Sequence, residues 1–598
     1  MGSWGSHDRG RVTGLFSLIV LLALAGAGSA QASPPHSPFP PEVGAAVDLL
    51  PRPCALEGND PYERRTYRLA GWEGPDYERY PGSCQRLRFS YGPIVVKPGQ
   101  NDVLVEPVKI EKPLRDGYIT RFEPNLVLPD GSVPPIEQVH LHHGTWLSVQ
   151  DYGRGPFFAA GEEKTVAPFP TGYGMPVKAS DVWLLLYMVH SAVQKPMTVY
   201  ITYDVDFIPQ AEGDRLGIKP AYPVWLDVRP AGYPVFNVQR DFGSHGTCTW
   251  PKQQCAAFDP WGKTIVGQGT AGNGVGQDLA LPDRGESFGS INDFTGGTLI
   301  GIGGHLHPGG IQNEIDLVRG KRAQRIYTGR AAYWKRGSKP AIGGPPTSWD
   351  FSMRVIGAPY WGVRVEPGDV LRSNVTYDTR IQSTYEDMGI AVTLLAPDTP
   401  EGKPTAPGVD PFKAPVDHSK SCRSRGLKAK RPTLCDQAGA VTHGPLPEND
   451  NYGGAQGEWT ATTGSPAGNV AITNFLYEPG DLSTISMTGV PTVKLGQTLG
   501  FTNLDGPVIY HTVTSCGFPC LGPTGTSFPI ADGTTSTGRS LDFDSSELGF
   551  GTPAIGPAKE TLNWGLPVTR EEGYAPGEVV TYYCRIHPGM RGAFEVTK

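Results

Sequence analysis

The sequence predicts an all-β protein of two to four domains, and three observations carry that expectation. The chain has 598 residues, too many for one hydrophobic core. Glycine (78) and proline (58) are abundant while charged residues make up only 19%, a balance that favours turns over helices. From Tyr91 onward, short apolar runs alternate with Pro-Gly, Asp-Gly and glycine-rich turns, the texture of antiparallel sandwiches. Hydrophobic residues at 38% and aromatics at 10% are enough to fill packed cores. The net charge of -7 leaves no basic footprint, so nucleic acid is not an expected partner.

Arg9 and Arg11 precede an apolar run over 15–27, followed by small residues with Ala-x-Ala spacing at Ala30 and Ala32. This is the layout of an export signal over residues 1–32, cut after Ala32 or two residues earlier. The run is short for a bilayer; an uncleaved anchor is the alternative. No later segment is apolar and long enough to span, and no lipobox cysteine follows the run. The mature form is therefore expected to be secreted, extracellular or periplasmic, without a membrane span.

Residues 33–84 read as a leader, rich in proline, alanine and serine up to 50. A first sandwich is expected over 85–215, with strands at 93–97, 118–122, 181–189 and 197–205. A second follows over 216–397, with a short helix at 316–323. Residues 398–455 lack periodicity and read as a linker; the basic run 423–431 within it reads as a solvated loop. Strands resume from Asn469, in a last domain over 456–598.

Of nine cysteines, eight fall into four sequence-local pairs: Cys54 with Cys84, Cys248 with Cys255, Cys422 with Cys435, and Cys516 with Cys520. Sequence alone does not set the connectivity. None of the eight shows the CxxC spacing of a zinc site. The ninth, Cys584, lies in Val580-Thr-Tyr-Tyr-Cys-Arg-Ile-His-Pro-Gly-Met590, a strand running into a tight loop. Cys584, His587 and Met590 stand three residues apart. A thiolate, an imidazole and a thioether on one loop can converge on one small ion, and soft sulfur with imidazole selects copper. One Cys, two His and a weak axial Met form the blue-copper electron-transfer set. His511, in Val508-Ile-Tyr-His-Thr-Val-Thr, is the candidate for the missing imidazole.

Residues 456–598 resemble the cupredoxins, of the plastocyanin and amicyanin kind. The resemblance rests on Tyr477-Glu-Pro-Gly, the strand 499–505, His511-Thr-Val-Thr, and Cys584-x2-His587-x2-Met590. It implies a Greek-key β-sandwich with a type 1 (blue) copper held by His511, Cys584, His587 and Met590. The long interval from His511 to Cys584, with Cys516, Cys520 and a Gly/Ser/Thr-rich stretch, reads as a surface insertion.

The other histidines cluster. Three lie in His140-Leu-His142-His143, one is His190 at the end of an apolar strand, and two form His305-Leu-His307. The period of two puts His305 and His307 on one face of a strand. Adjacent His142 and His143 face opposite ways on a regular strand, so they can share an ion only at a strand end or bulge. Their order resembles that of the copper type II ascorbate-dependent monooxygenases, the peptidylglycine α-hydroxylating and dopamine β-monooxygenase family. The resemblance covers roughly 85–397 and implies a pair of antiparallel jelly-roll sandwiches. It implies that His142, His143 and His190 hold an electron-transfer copper. It implies that His305, His307 and Met388 hold a catalytic, oxygen-binding copper. Met353 is a weaker rival to Met388, and His140 is an extra histidine, either an alternative ligand or a core residue. Segments 140–146 and 187–209 are also similar to stress-upregulated nodulin-like proteins. His245, His418 and His443 have no partner by spacing, and Asn374-Val-Thr is a glycosylation sequon.

These readings describe an exported copper protein with about three copper ions, counted from the ligand sets. Its type 1 domain would pass electrons from an external donor, a small reductant or redox protein, to a monooxygenase-like domain. That domain would hydroxylate a C–H bond of a small-molecule or peptide substrate with O2. The alternative is a non-enzymatic copper-binding and electron-transfer protein. A multicopper oxidase would need more HxH pairs than His140-Leu-His142 and His305-Leu-His307, and a His beside Cys584. A hydrolase is disfavoured by the lack of HExxH and of GxSxG in a suitable context.

Overall fold

The computed structural model describes most of residues 80–228, 291–330, 361–419 and 462–598, and short stretches elsewhere, including 52–54 and 434–436. The regular structure of the described residues is almost wholly strand, as expected, arranged as paired sheets. Among them no helix is long and apolar enough to cross a membrane.

The first sandwich packs two sheets. One runs through Gln85–Val96, Met197–Pro209, Gly117–Val127 and Tyr173–Val177; the other holds Trp183–Ser191 beside Val139–Ser148, with Phe158–Gly161 at its edge. Alternation along each strand sends every second residue inward. Phe122 sits at the middle, against Trp146 at 5.2 Å and Tyr203 at 5.7 Å between ring centroids. Burying such side chains contributes about 1.5–3 kcal/mol each. Arg86 and Asp206, both buried, form a two-pronged ion pair at 2.8 and 3.2 Å. A disulfide joins Cys54 to Cys84 and ties Arg52–Pro53 to the edge of this sandwich.

In the second sandwich, Tyr222–Asp227, Thr384–Pro397, Gly297–Leu306 and Val363–Val365 make one sheet. The other is built on Val370–Asp378, Gly310–Arg319 and Arg322–Arg330. The short helix expected at 316–323 is instead the turn of a β-hairpin between these last two strands. Ile315 and Leu317 alternate into the core, and Arg325 reaches back across the pair to Asp316 and Glu314. Both contacts require extended backbone. Trp361, fully buried, donates its indole N–H to the Ile326 carbonyl at 3.0 Å.

The two sandwiches share buried surface. Ile300, Leu394 and Ala396 of the second belong to the core of the first, and Ala159 of the first packs with Trp225, Met388 and Ile390 of the second. Residues 398–419, with turns at 399–402 and 410–414, pack against both. Ala406 enters the first core, its carbonyl accepts from Thr298 at 3.1 Å, and Tyr173 donates to the Thr405 carbonyl at 3.2 Å.

The last sandwich packs a five-stranded sheet, which includes Val490–Lys494, Arg591–Thr597, Val579–Tyr583 and Thr514–Cys516, on a four-stranded sheet that includes Asn469–Thr473, Gln497–Asn503 and Asn563–Val568. Tyr477, Phe501, Tyr582 and Phe594 fill it. Cys516 and Cys520 are bonded to each other, Cys435 is in a disulfide, and Cys584 is a free, buried thiol. Cys422 and Cys255 lie outside the described residues.

Candidate metal centres

Cys584 ends the Val579–Tyr583 strand, and its loop closes on itself. The Cys584 N–H donates to the Met590 carbonyl at 3.1 Å, and the Met590 N–H to that of His587 at 2.8 Å. His511 arrives from the other direction, pinned by paired backbone bonds with Leu548 at 3.1 and 2.7 Å. The Asn503 amide steadies the same corner by donating to the carbonyls of Ile509 and Leu548, each at 2.8 Å. The Cys584 Sγ lies 3.9 Å from Nδ1 of His511 and 3.5 Å from Nδ1 of His587, and those two nitrogens are 3.2 Å apart. Such spacings are those of atoms that share one ion at roughly 2.0–2.3 Å. Met590, buried, ends the same loop and lies in the same core as Cys584.

The surroundings prepare these atoms. His511 Nε2 pairs with Asp505 at 3.0 Å, which orients the ring and leaves Nδ1 for the ion. Asp505 is itself held by the N–H groups of Asn474 and Phe475. Burial works against the Cys584 thiolate, but His511 and the Thr512 N–H outweigh it and lower the thiol overall. Burial, then His511 and His190, keep His587 well below the usual imidazole value, hence neutral. Phe475 stands edge-on to both rings, at 5.5 and 4.7 Å, and shields the site from water. A thiolate, two imidazole nitrogens and a thioether on these elements fit copper.

The first sandwich carries a second group. His140 and His142 on Val139–Ser148 and His190 on Trp183–Ser191 are buried, and each offers a nitrogen within 4.8 Å of the others. The expected set was His142, His143 and His190; the structure brings His142 and His190 together with His140. A β-bulge carries His140 to this face. Met188 pairs with His143 but Val189 pairs with Leu141, so His142 is an extra residue in the ladder. Val139 and Leu141 point into the core before the bulge, and Gly144 and Trp146 take the inward positions after it. His140 and His143, which an unbroken alternation would set on opposite faces, therefore share the outward face with His190. The rings of His140 and His190 meet at 4.9 Å, and those of His142 and His143 stack at 4.5 Å.

His143 turns instead toward the second sandwich, where its ring meets that of His305 at 6.2 Å. It keeps some exposure, yet burial of its imidazole, then His305 and His140, push it down to about 3, so it is neutral and able to ligate. His305 pairs with Ile390 across the ladder, and Met388 is two residues along on the same face. His305 and Met388, both buried, thus stand on neighbouring strands facing the first sandwich. His307, the expected partner of His305, lies outside the described residues, as does Met353. His418 pairs with Asp436 at 2.8 Å, a structural contact away from these groups.

His140 was legible only as an extra histidine. The signal that would have promoted it is its period-two spacing from His142, the same pattern read in His305 and His307. Cys54, Cys84 and Asp206 also lie together, but the two sulfurs are spent in their disulfide.

No family model matches the chain, and no curated protein does. Among solved structures, the chain is similar to a novel purple cupredoxin from Nitrosopumilus maritimus at 18% identity, covering 22% of this chain and 98% of that one, with a TM-score of 0.13. A reduced amicyanin variant is similar at 21% identity, covering 22% of this chain and 81% of that one, with a TM-score of 0.12. A Cu-containing nitrite reductase from Thermus scotoductus SA-01 is similar at 14% identity, covering 68% and 83%, with a TM-score of 0.14.

Proposed function

We propose that this chain is an exported copper protein. Its type 1 centre at His511, Cys584, His587 and Met590 passes single electrons to copper held in the N-terminal sandwiches. The observation that carries the proposal is the place of His190. It belongs to the three-histidine group and is also near enough to His587 to act on it electrostatically. The two groups thus lie within electrostatic reach of each other.

His140, His142 and His190 would hold one further copper. His305 and Met388, with His143 facing them and His307 as the expected fourth group, would hold another. Bound copper supplies one-electron redox chemistry. The protein residues supply the rest: imidazoles gathered in groups, a carboxylate that fixes His511, and aromatic rings that keep water from the thiolate. A thioether beside imidazole favours the reduced ion, the form that reacts with O2. This supports the finer reading, hydroxylation of a C–H bond with O2 and electrons from an external donor. A second reading is favoured by burial. Both N-terminal groups lie against packed sheets, which suits storage and relay of electrons without oxygenase chemistry.

Copper analysis of the purified protein, with absorption and paramagnetic resonance spectra, tests the proposal. About three coppers per chain are expected from the ligand sets. Cys584→Ser should abolish the blue band and lower the count by one. His305→Ala should lower it by one and keep the band. One copper per chain, unchanged in His305→Ala, would sink the electron-receiving role. Three coppers with no oxygen uptake in the presence of a reductant would leave the relay reading.

A further inference from the structure

Between the two N-terminal sandwiches lies an apolar cavity of about 30 Å³. Phe122, Phe158 and Phe169 of the first sandwich face Gly303, Val392 and Leu394 of the second across it. None of the side chains lining it carries an N–H or O–H group. Water in a buried site needs two to four polar partners, so this space disfavours water. Its size is decisive as well. One water-sized body needs roughly 10–15 Å³ on the same measure, so the cavity takes two such bodies in contact. That is room for a diatomic molecule.

Its position points the same way. Gly303 and His305 are two residues apart on one strand with no bulge between them, about 6.7 Å. Val392 continues the face that carries Met388 and Ile390. Ala159, in the cavity wall, also packs against Met388 and pairs with Thr145, two residues from His143. The cavity therefore adjoins the place where His143, His305 and Met388 face one another.

We infer that this cavity holds a small apolar gas, dioxygen, beside the His143–His305–Met388 group. The inference rests on the proposal that copper there meets O2. The fold then concentrates an apolar oxidant in an apolar space and leaves water outside it.

The cavity is tested with xenon, an apolar atom of suitable size. Crystals of the full chain, copper-free and copper-loaded, are exposed to xenon under pressure. Xenon density among Phe122, Phe158 and Leu394 is expected in both forms. Ala159→Leu and Ala167→Leu narrow the cavity from two different strands and should each expel it. Reduced, copper-loaded variants with an intact blue band should be reoxidised by O2 several-fold more slowly than the wild type. No xenon in a well-folded wild type overturns the inference. So does xenon binding with reoxidation rates equal in wild type and both variants. A wild type that binds xenon but is not reoxidised by O2 overturns the dioxygen assignment; the copper count alone then decides whether the proposed copper centres survive. A variant that fails to fold is judged by the other, which alters a different strand.

Discussion

The imidazoles of His143 and His305 meet nearly edge to face, 6.2 Å between centroids, one from each N-terminal sandwich. Two rings on one ion at roughly 2.0–2.1 Å per nitrogen can reach that separation when they approach from nearly opposite sides. The contact also separates two roles that the run His140-Leu-His142-His143 had merged. His140 and His142 look toward His190, while His143 looks across the interface.

His140→Ala and His143→Ala should therefore remove different ions. Each variant is expected to lose one copper and keep the blue band, and the double variant to lose two. Elemental analysis of the three proteins measures this. Loss of a single copper in the double variant would mean that one ion is shared by the whole run.

Asp505 holds the ring of His511 through a 3.0 Å contact. Asp505→Ala should weaken copper at the type 1 site about 10–100-fold, the usual effect of removing a carboxylate behind a ligating histidine. Titration with copper, followed at the blue band, reads the change. Affinity equal to the wild type would show that Asn503 and Leu548 alone position His511.

Asp206 pairs with Arg86 where neither meets solvent. Asp206→Ala leaves a buried guanidinium charge uncompensated and should cost about 3–5 kcal/mol. The double variant Arg86→Met with Asp206→Leu removes both charges and should recover most of that loss. Calorimetry that resolves the transition of the first sandwich compares them, since a chain of several domains does not unfold in one step.

Glu578 is a site of acid sensitivity. Burial alone would raise its carboxyl, but hydrogen bonds from Thr537 at 2.6 Å and from Arg539, with the Ala575 N–H, lower it below the ordinary value of 4.5. Its folded value is thus depressed relative to the unfolded chain. The stabilisation is present in full above about 4.5 and fades as pH falls through the folded value. Glu578→Gln should be less stable than the wild type at neutral pH and lose less on acidification. Thermal melts from pH 7 down to pH 3 check this, and parallel pH profiles for the two proteins would refute it.

Much of the architecture was readable because strand signals are local. The apolar run 181–189, the alternation along 197–205, and turns marked by Pro-Gly and Asp-Gly need only neighbouring residues. The metal loop was readable for the same reason: Cys584, His587 and Met590 sit within seven residues. The short helix expected at 316–323 gave way to a hairpin in which Arg325 spans to Asp316, a pairing that depends on the return strand. The grouping of His140 with His142 and His190 was hidden more deeply. It depends on one extra residue in a ladder, and pairing of Met188 with His143 and Val189 with Leu141 is a tertiary fact. The packing of 398–419 was equally hidden, because irregular proline-rich chain carries no period whether it is bound or free.

The bulge at His142 sets a rule for how this strand can vary. Substitution of His142 would delete a ligand and leave its neighbours facing as before. Deletion of the same residue would close the bulge and restore unbroken alternation through the strand. Leu141 and Trp146 would still face inward, and His140 and His143 would still share the outward face. Loss of His142, by substitution or by deletion, should therefore cost the three-histidine group one imidazole and leave His143 where it meets His305. The extra residue acts as a removable ligand, set into a ladder whose register does not depend on it.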